Sequence, residues 1–217
     1  SKIAMPEVGI GFIPDVGGTY LTSRSPRAMA LHAAQTGAPF SGADAIAMGF
    51  ADHYVPQASL FDFVAAIAGD GVDAALSAFA QTPPPSELAS QQSWIDECYA
   101  GGTVAEIVAA LHAHGTGPAS DAANLIASRS PTALAVTLES VRRAARLTTL
   151  EDVLVQEYRV SCASLRSHDL VEGIRAQLVD KDRNPQWSPP SLEAVTKADI
   201  DAYFAPADPD LTFEENQ

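Results

Sequence analysis

Two carboxylates, Glu7 and Asp15, lie eight positions apart in the stretch MPEVGIGFIPDVGGTY, residues 5–20. Carboxyl groups that converge on one pocket make a general acid/base or nucleophile arrangement. Desolvation or mutual repulsion raises the pKa of one of them. One group then attacks or activates water while the other holds or donates a proton. The residues alone leave a second reading open, a helix-capping Asp and a solvated Glu in a glycine-rich turn. On an α-helix this spacing would put both acids on roughly one face. Gly9, Gly11, Pro14, Gly17 and Gly18 oppose a helix here, so a folded loop must bring the acids together. Pro14-Asp15 ahead of Gly17-Gly18 predicts a helix N-terminus with Asp15 near the cap and backbone N–H groups open to a ligand.

Such a loop needs elements to hold it. SKIAM reads as the end of a strand leading into it. PRAMALHAAQTG predicts a helix with Pro26 at its start and Gly37 as its stop. SGADAIAMGF predicts a second short helix capped by Ser41, and ADHYVP a short strand closed by Pro56. This order predicts an α/β unit over residues 1–58. Residues 59–217 read as mainly helical. The pattern at 60–81 breaks at Gly69 and Gly71, and TPPPS at 82–86 is a linker. Helices are expected in SELASQQSWIDECYAGG and in TVAEIVAALHAHG, the latter opened by a Thr103/Glu106 capping box. SPTALAVTLESVRRAARL has Ser130 as cap, Pro131 in the first turn and a stripe of Leu134, Leu138, Val141 and Ala145. Thr149 and Asp152 open another helix, a further one runs from 169 to about 179, and Thr196 with Asp199 begins the last.

With 217 residues, 47% of them hydrophobic, the chain can bury a substantial core. A net charge of −14 argues against nucleic acid as a partner, since phosphates would be repelled. No apolar run approaches the ~18 residues that span a bilayer, so no membrane role is expected. Cys98 and Cys162 lack metal-site spacing and read as idle thiols. The opening SKIAMPE has no secretory pattern and no initial Met, as if it began part way through a structure.

The loop resembles the central motif of the enoyl-CoA hydratase/isomerase (crotonase) superfamily, in which Pro-Glu opens a glycine-rich loop ending in Gly-Gly. Its Asp before Val-Gly-Gly is similar to the 3-hydroxyisobutyryl-CoA hydrolase branch, where hydratases usually carry Gly. The blocks EYR at 157–159, HDLVEGIRA at 168–176 and DKDRNPQW at 180–187 resemble that branch more closely than the superfamily at large. The likeness covers nearly the whole chain, with a variable middle at 60–92. It implies the C-terminal part of a crotonase spiral fold followed by a helical domain that packs over the site. It also implies hydrolysis of a short 3-hydroxyacyl-CoA thioester such as 3-hydroxyisobutyryl-CoA, with release of the acid and coenzyme A in valine breakdown. One alternative is an enoyl-CoA hydratase or isomerase, which Asp15 and the Asp-Lys-Asp block argue against. Another is a non-catalytic subunit of the same fold, which retention of both Glu7 and Asp15 argues against. Glu7 and Asp15 would be the catalytic and substrate-binding pair. Glu7 would act as nucleophile or as base for water, and Asp15 would orient the 3-hydroxyl or transfer a proton. No metal or redox cofactor is implied, because coenzyme A belongs to the substrate. The family's N-terminal half supplies two oxyanion-hole N–H groups, and its motifs are absent from these residues. One such donor is worth ~10²–10³ in rate, so an upstream half of the same enzyme is expected, and a homo-oligomer is compatible. Placement would be the bacterial cytoplasm or the mitochondrial matrix.

Other residues read more simply. His53 is a packed or surface histidine, His168 bonds locally at a helix start, and His112 and His114 face different ways. Lys2, Arg24, Arg27, Lys181 and Arg183 are candidates for coenzyme A phosphates. Trp94 and Trp187 are packing anchors, and Glu172 with Arg175 forms a local ion pair.

Overall fold

A computed structural model describes residues 1–26 and 28–213. The chain is mostly helical. Its only ladder among the described residues pairs β1 (Lys2–Ile3) antiparallel with β2 (Phe40–Ser41). The strand expected at ADHYVP is a single bridge, Tyr54 to Gln81, because Pro56 removes a donor and ends the pairing.

Between the strands lie the turn of residues 7–10, α1 (Gly18–Arg24) and α2 (Met29–Thr36). Helix α2 stops at Gly37, whose φ of 64° suits a residue without Cβ. Helix α3 (Gly42–Ala47) carries a full capping box between Ser41 and Asp44. Helices α4 (Leu60–Asp70) and α5 (Val72–Phe79) form a hairpin broken at Gly71 alone. Gly69 stays inside α4, since one glycine costs less than the hairpin contacts return.

Helices α6 (Glu87–Cys98) and α7 (Val104–His114) follow, with the Thr103/Glu106 box in place. Helix α8 (Gly117–Ala127) has no counterpart in the sequence reading. Its buried face is Ala119, Ala122, Ala123 and Ile126, a helical spacing carried mostly by alanine and therefore weak in hydropathy. Helix α9 (Pro131–Ala144) starts on the Ser130 cap as expected. Its stripe ends on Ala144, while Ala145 is exposed. Helices α10 (Leu150–Ser164), α11 (His168–Ile174) and α12 (Lys197–Ala202) complete the set, and the helix expected up to 179 passes into a π turn after Ile174.

Helix α9 is the hub. It packs against α1, α2, α7, α10, α12 and the turn that carries Glu7, and is buried nearly all round. The main core joins Met5, Val8, Met29 and Phe40 to Ile95, Ile107, Ile126 and Leu134. A smaller cluster of Ile13, Val136 and Val160 lies under the loop and meets Ile200, Tyr203 and Phe204.

Candidate active site

Residues 7–10, Glu-Val-Gly-Ile, form one 3-10 turn. The Glu7 carbonyl closes it by accepting from Phe12 N–H at 3.0 Å. The turn is fixed from two sides. The Ser130 N–H, at the head of α9, donates to the Val8 carbonyl at 3.1 Å. The Ser130 hydroxyl donates to Oδ2 of buried Asp169 at 2.5 Å, and Asp169 Oδ1 accepts from Ser188 N–H at 2.8 Å. One Ser–Asp pair thus ties the starts of α9 and α11 to the turn.

The backbone of α11 lies directly on this turn. A Cβ on Gly173 would meet the Ile10 carbonyl carbon and oxygen at 2.4 Å. A Cβ on Gly11, whose φ is 76°, would meet the Asp169 carbonyl at 2.4 Å. Two backbones touch here, which only glycine at both positions permits. Arg129 donates from Nε and Nη2 to the Thr36 carbonyl at 2.9 and 2.7 Å, and its Nη1 lies 3.3 Å from where a Cβ on Gly9 would stand.

Glu7 projects from this fixed turn and is half-buried. Its Oε2 is shielded from solvent and meets no hydrogen-bond donor among the described residues. Burial pushes its pKa up, a bond from its own backbone N–H opposes that, and the Asp15 charge adds to the rise. Asp15 is the least of these three influences on Glu7. Asp15 is also half-buried, and its pKa is raised chiefly by burial. Its own backbone and the Ser161 hydroxyl, which bond to its charged form, oppose the rise. The reading of Glu7 as a fully solvated group does not fit this burial.

Asp15 does not cap α1. Its carbonyl accepts from Gly18 N–H at 2.8 Å, while Gly17 is the N-cap with φ 93°. Nor are the N–H groups of this turn open to a ligand. Glu157 from α10 takes them: Gly17 N–H donates to Oε2 at 2.7 Å, and Thr19 N–H and its hydroxyl donate to Oε1 at 2.9 and 2.5 Å. A buried carboxylate with three donors is fully matched at the positive end of a helix. Sequence reasoning missed Glu157. The available signal was its place in the stripe Val153, Gln156, Glu157, Val160 and Ser164, where a charge on a buried face needs a partner. Val16, between Asp15 and Gly17, has φ 51° and is 88% exposed. Strain in a β-branched residue beside the carboxylate marks a backbone held by its surroundings.

The remaining candidates are accounted for. Arg24 stacks on Tyr20 and donates to the Leu147 carbonyl. Lys2, Lys181 and Arg183 are exposed, and Arg27 lies outside the described residues. His53 is exposed, His168 sits 3.2 Å from Asp169, and His114 pairs with Thr116. Trp94 packs against the core, and Trp187 donates to the Ser128 carbonyl. Arg175 forks onto Glu172 at 2.7 and 2.8 Å and also reaches Asp180 and Asp182, so Glu172 is held at a pKa of about 2. Among the described residues no group of three or more His, Cys, Asp or Glu side chains is arranged to hold a metal ion. Among the described residues no helix is long and apolar enough to cross a membrane.

A glycine-locked turn carrying a desolvated Glu, with a second carboxylate one loop away, is an arrangement capable of acid/base or nucleophilic chemistry on a helical scaffold. The chain belongs to the enoyl-CoA hydratase/isomerase family, whose family model matches residues 1–204. It is 37% identical over 216 residues to a probable 3-hydroxyisobutyryl-CoA hydrolase 2 of Arabidopsis thaliana, covering 93% of this chain and 57% of that one. It is 34% identical to the mitochondrial 3-hydroxyisobutyryl-CoA hydrolase of Homo sapiens, covering 93% and 55%. Among solved structures, a carnitinyl-CoA dehydratase from Mycobacterium thermoresistibile superposes with TM-score 0.96 at 69% identity, covering 100% of this chain and 62% of the other. An enoyl-CoA hydratase from Rhodobacter sphaeroides superposes with TM-score 0.90 at 40% identity, covering 98% and 62%. The chain spans a little over half the length of the curated relatives it matches.

Proposed function

We propose that this chain carries the reacting carboxylates of a thioester hydrolase for 3-hydroxyisobutyryl-CoA or a similar short 3-hydroxyacyl-CoA, working in valine breakdown. The observation that carries the reading is the half-buried Glu7, whose Oε2 meets no donor among the described residues, on a loop that has a second carboxylate, Asp15, where the hydratase pattern has Gly. The hydrolase names of the curated relatives support it.

Glu7 starts hydrolysis by one of two routes. Its carboxylate adds to the thioester carbonyl, the C–S bond breaks, coenzyme A leaves as thiolate and takes up a proton, and water cleaves the mixed anhydride. Alternatively Glu7 removes a proton from water, which adds to the same carbonyl and expels the thiolate. Trapping of an acyl-enzyme with hydroxylamine separates the routes. Asp15 orients the 3-hydroxyl or passes the proton. Neither route draws on a metal or redox cofactor, and coenzyme A enters with the substrate. The oxyanion N–H groups come from an upstream part of the same enzyme, and assembly into a homo-oligomer is compatible with this arrangement. The site lies in the cytoplasm of a bacterium, or in the mitochondrial matrix as the names of animal relatives suggest.

A second reading, hydration or dehydration of an acyl-CoA, is favoured by the 69% identity to a structure named as a carnitinyl-CoA dehydratase. The full-length natural protein decides between them. Release of free thiol from 3-hydroxyisobutyryl-CoA, well above any addition of water to crotonyl-CoA or loss of water from carnitinyl-CoA, supports hydrolysis. The reverse order overturns it.

A further inference from the structure

Helix α10 presents two polar side chains one turn apart to the Asp15 loop. Glu157 accepts all three of its bonds from Gly17 and Thr19, the residues that follow Asp15. Ser161 borders the same cleft as Asp15, and its hydroxyl draws the Asp15 pKa down against the effect of burial. The space between loop and helix is a cavity of about 410 Å³ bordered by Asp15, Val16, Leu154, Tyr158, Ser161 and Phe213. Below it Val160 packs on Ile13 and Val136, so the helix face has no freedom to turn away. A loop rich in glycine would otherwise sample many backbone states.

We propose that Glu157 and Ser161 are positioning residues for the reaction: Glu157 clamps the backbone on which Asp15 rides, and Ser161 sets the direction of its carboxylate. The inference rests on the reading of Asp15 as a reacting group. Reacting groups must be held to within a fraction of an ångström, and about 1 Å of misplacement costs up to ~10²-fold in rate. The carboxylate cannot be mimicked by its amide. A Gln at 157 keeps the contacts to Thr19 but turns an NH2 toward Gly17 N–H, donor against donor.

The test uses the full-length natural protein and thiol release from 3-hydroxyisobutyryl-CoA. Glu157→Gln, Ser161→Ala and Ser161→Thr are compared with Asp15→Asn, with folding checked by thermal midpoint and near-UV dichroism. Glu157→Gln is expected to lower kcat about 10- to 100-fold with KM changed less than about threefold. Ser161→Ala is expected to lower kcat about 10-fold, and Ser161→Thr, which keeps the hydroxyl, to recover most of it. The pH limb that disappears in Asp15→Asn moves upward in Ser161→Ala, since a donor to the charged form is lost. Glu7 from the loop and Glu157 and Tyr158 from α10 also face Asp15, and all three are retained in that variant.

Should Glu157→Gln not fold, Ser161→Ala and its threonine rescue decide alone. Wild-type kcat and an unmoved limb in Ser161→Ala, or a threonine no better than alanine, overturn the inference. Wild-type turnover in Asp15→Asn overturns instead the reading of Asp15 on which it rests.

Discussion

Replacing Gly173 by Ala adds one methyl group where α11 touches the Glu7 turn. The new Cβ would stand 2.4 Å from the Ile10 carbonyl carbon and oxygen, against 3.4 Å or more for an ordinary contact. Neither partner is a side chain that can swing aside, so helix and turn must separate by about 1 Å. Overpacking of this kind costs about 1–3 kcal/mol, offset by up to ~1 kcal/mol because Ala is the better helix former. A net loss of about 1–2 kcal/mol is expected. The turn carries Glu7, so its displacement should also lower kcat, by up to ~10²-fold. Gly69→Ala is the control. Gly69 lies inside α4 with nothing within 4 Å of its Cβ position, so the same methyl should stabilise by about 1 kcal/mol and leave turnover alone. Urea unfolding and thiol release, measured side by side, check both signs. Equal stability and equal kcat for the two variants would refute the claim that a backbone contact locks the turn.

Three further outcomes follow from the same physics. The Glu7 pKa is raised from 4.5, so the unfolded chain releases this proton first, and the folded state pays a penalty that sets in as pH rises through 4.5. Glu7→Gln should therefore raise the thermal midpoint by a few degrees near neutrality and by much less below pH 4.5. His32 is buried, bonded to the Tyr99 hydroxyl at 3.0 Å, and lowered from 6.5 to about 4. Its neutral form stabilises the fold above pH 6.5, and that is lost as pH falls toward 4, on the order of 3 kcal/mol in all. His32→Gln should flatten the acid limb of a stability–pH curve. Val16 has φ 51°, which costs a β-branched residue ~1–2 kcal/mol, so Val16→Gly should gain about 0.5–1 kcal/mol in urea unfolding after the entropy of glycine is deducted.

Features set by neighbours in sequence were legible. Ser41, Thr103, Ser130 and Thr196 each accept from a backbone N–H three residues on, a bond decided locally. The same holds for the Glu172–Arg175 pair, one turn apart on α11 and its extension. The irregular backbone that carries Glu7 and Asp15 was legible because Gly9, Gly11, Pro14, Gly17 and Gly18 oppose an α-helix through it. What was hidden depends on distant partners. Glu157 meets Gly17 and Thr19 across some 140 residues, and it is this contact that closes the N–H groups the loop was expected to offer. Helix α8 was hidden for another reason: alanine fills its buried face, so hydropathy gives little contrast. The strand at ADHYVP failed because its partner is a single residue.

Glu7 stands at the centre of all of this, desolvated and unmatched at Oε2. The most direct measurement is the rate of thiol release from saturating 3-hydroxyisobutyryl-CoA by the full-length natural protein and its Glu7→Gln variant. A nucleophile or general base contributes about 10²–10⁴-fold, so the variant should fall by at least ~10²-fold while remaining folded. A folded Glu7→Gln protein that releases thiol within about threefold of the natural rate would contradict the assignment of Glu7 as the reacting carboxylate.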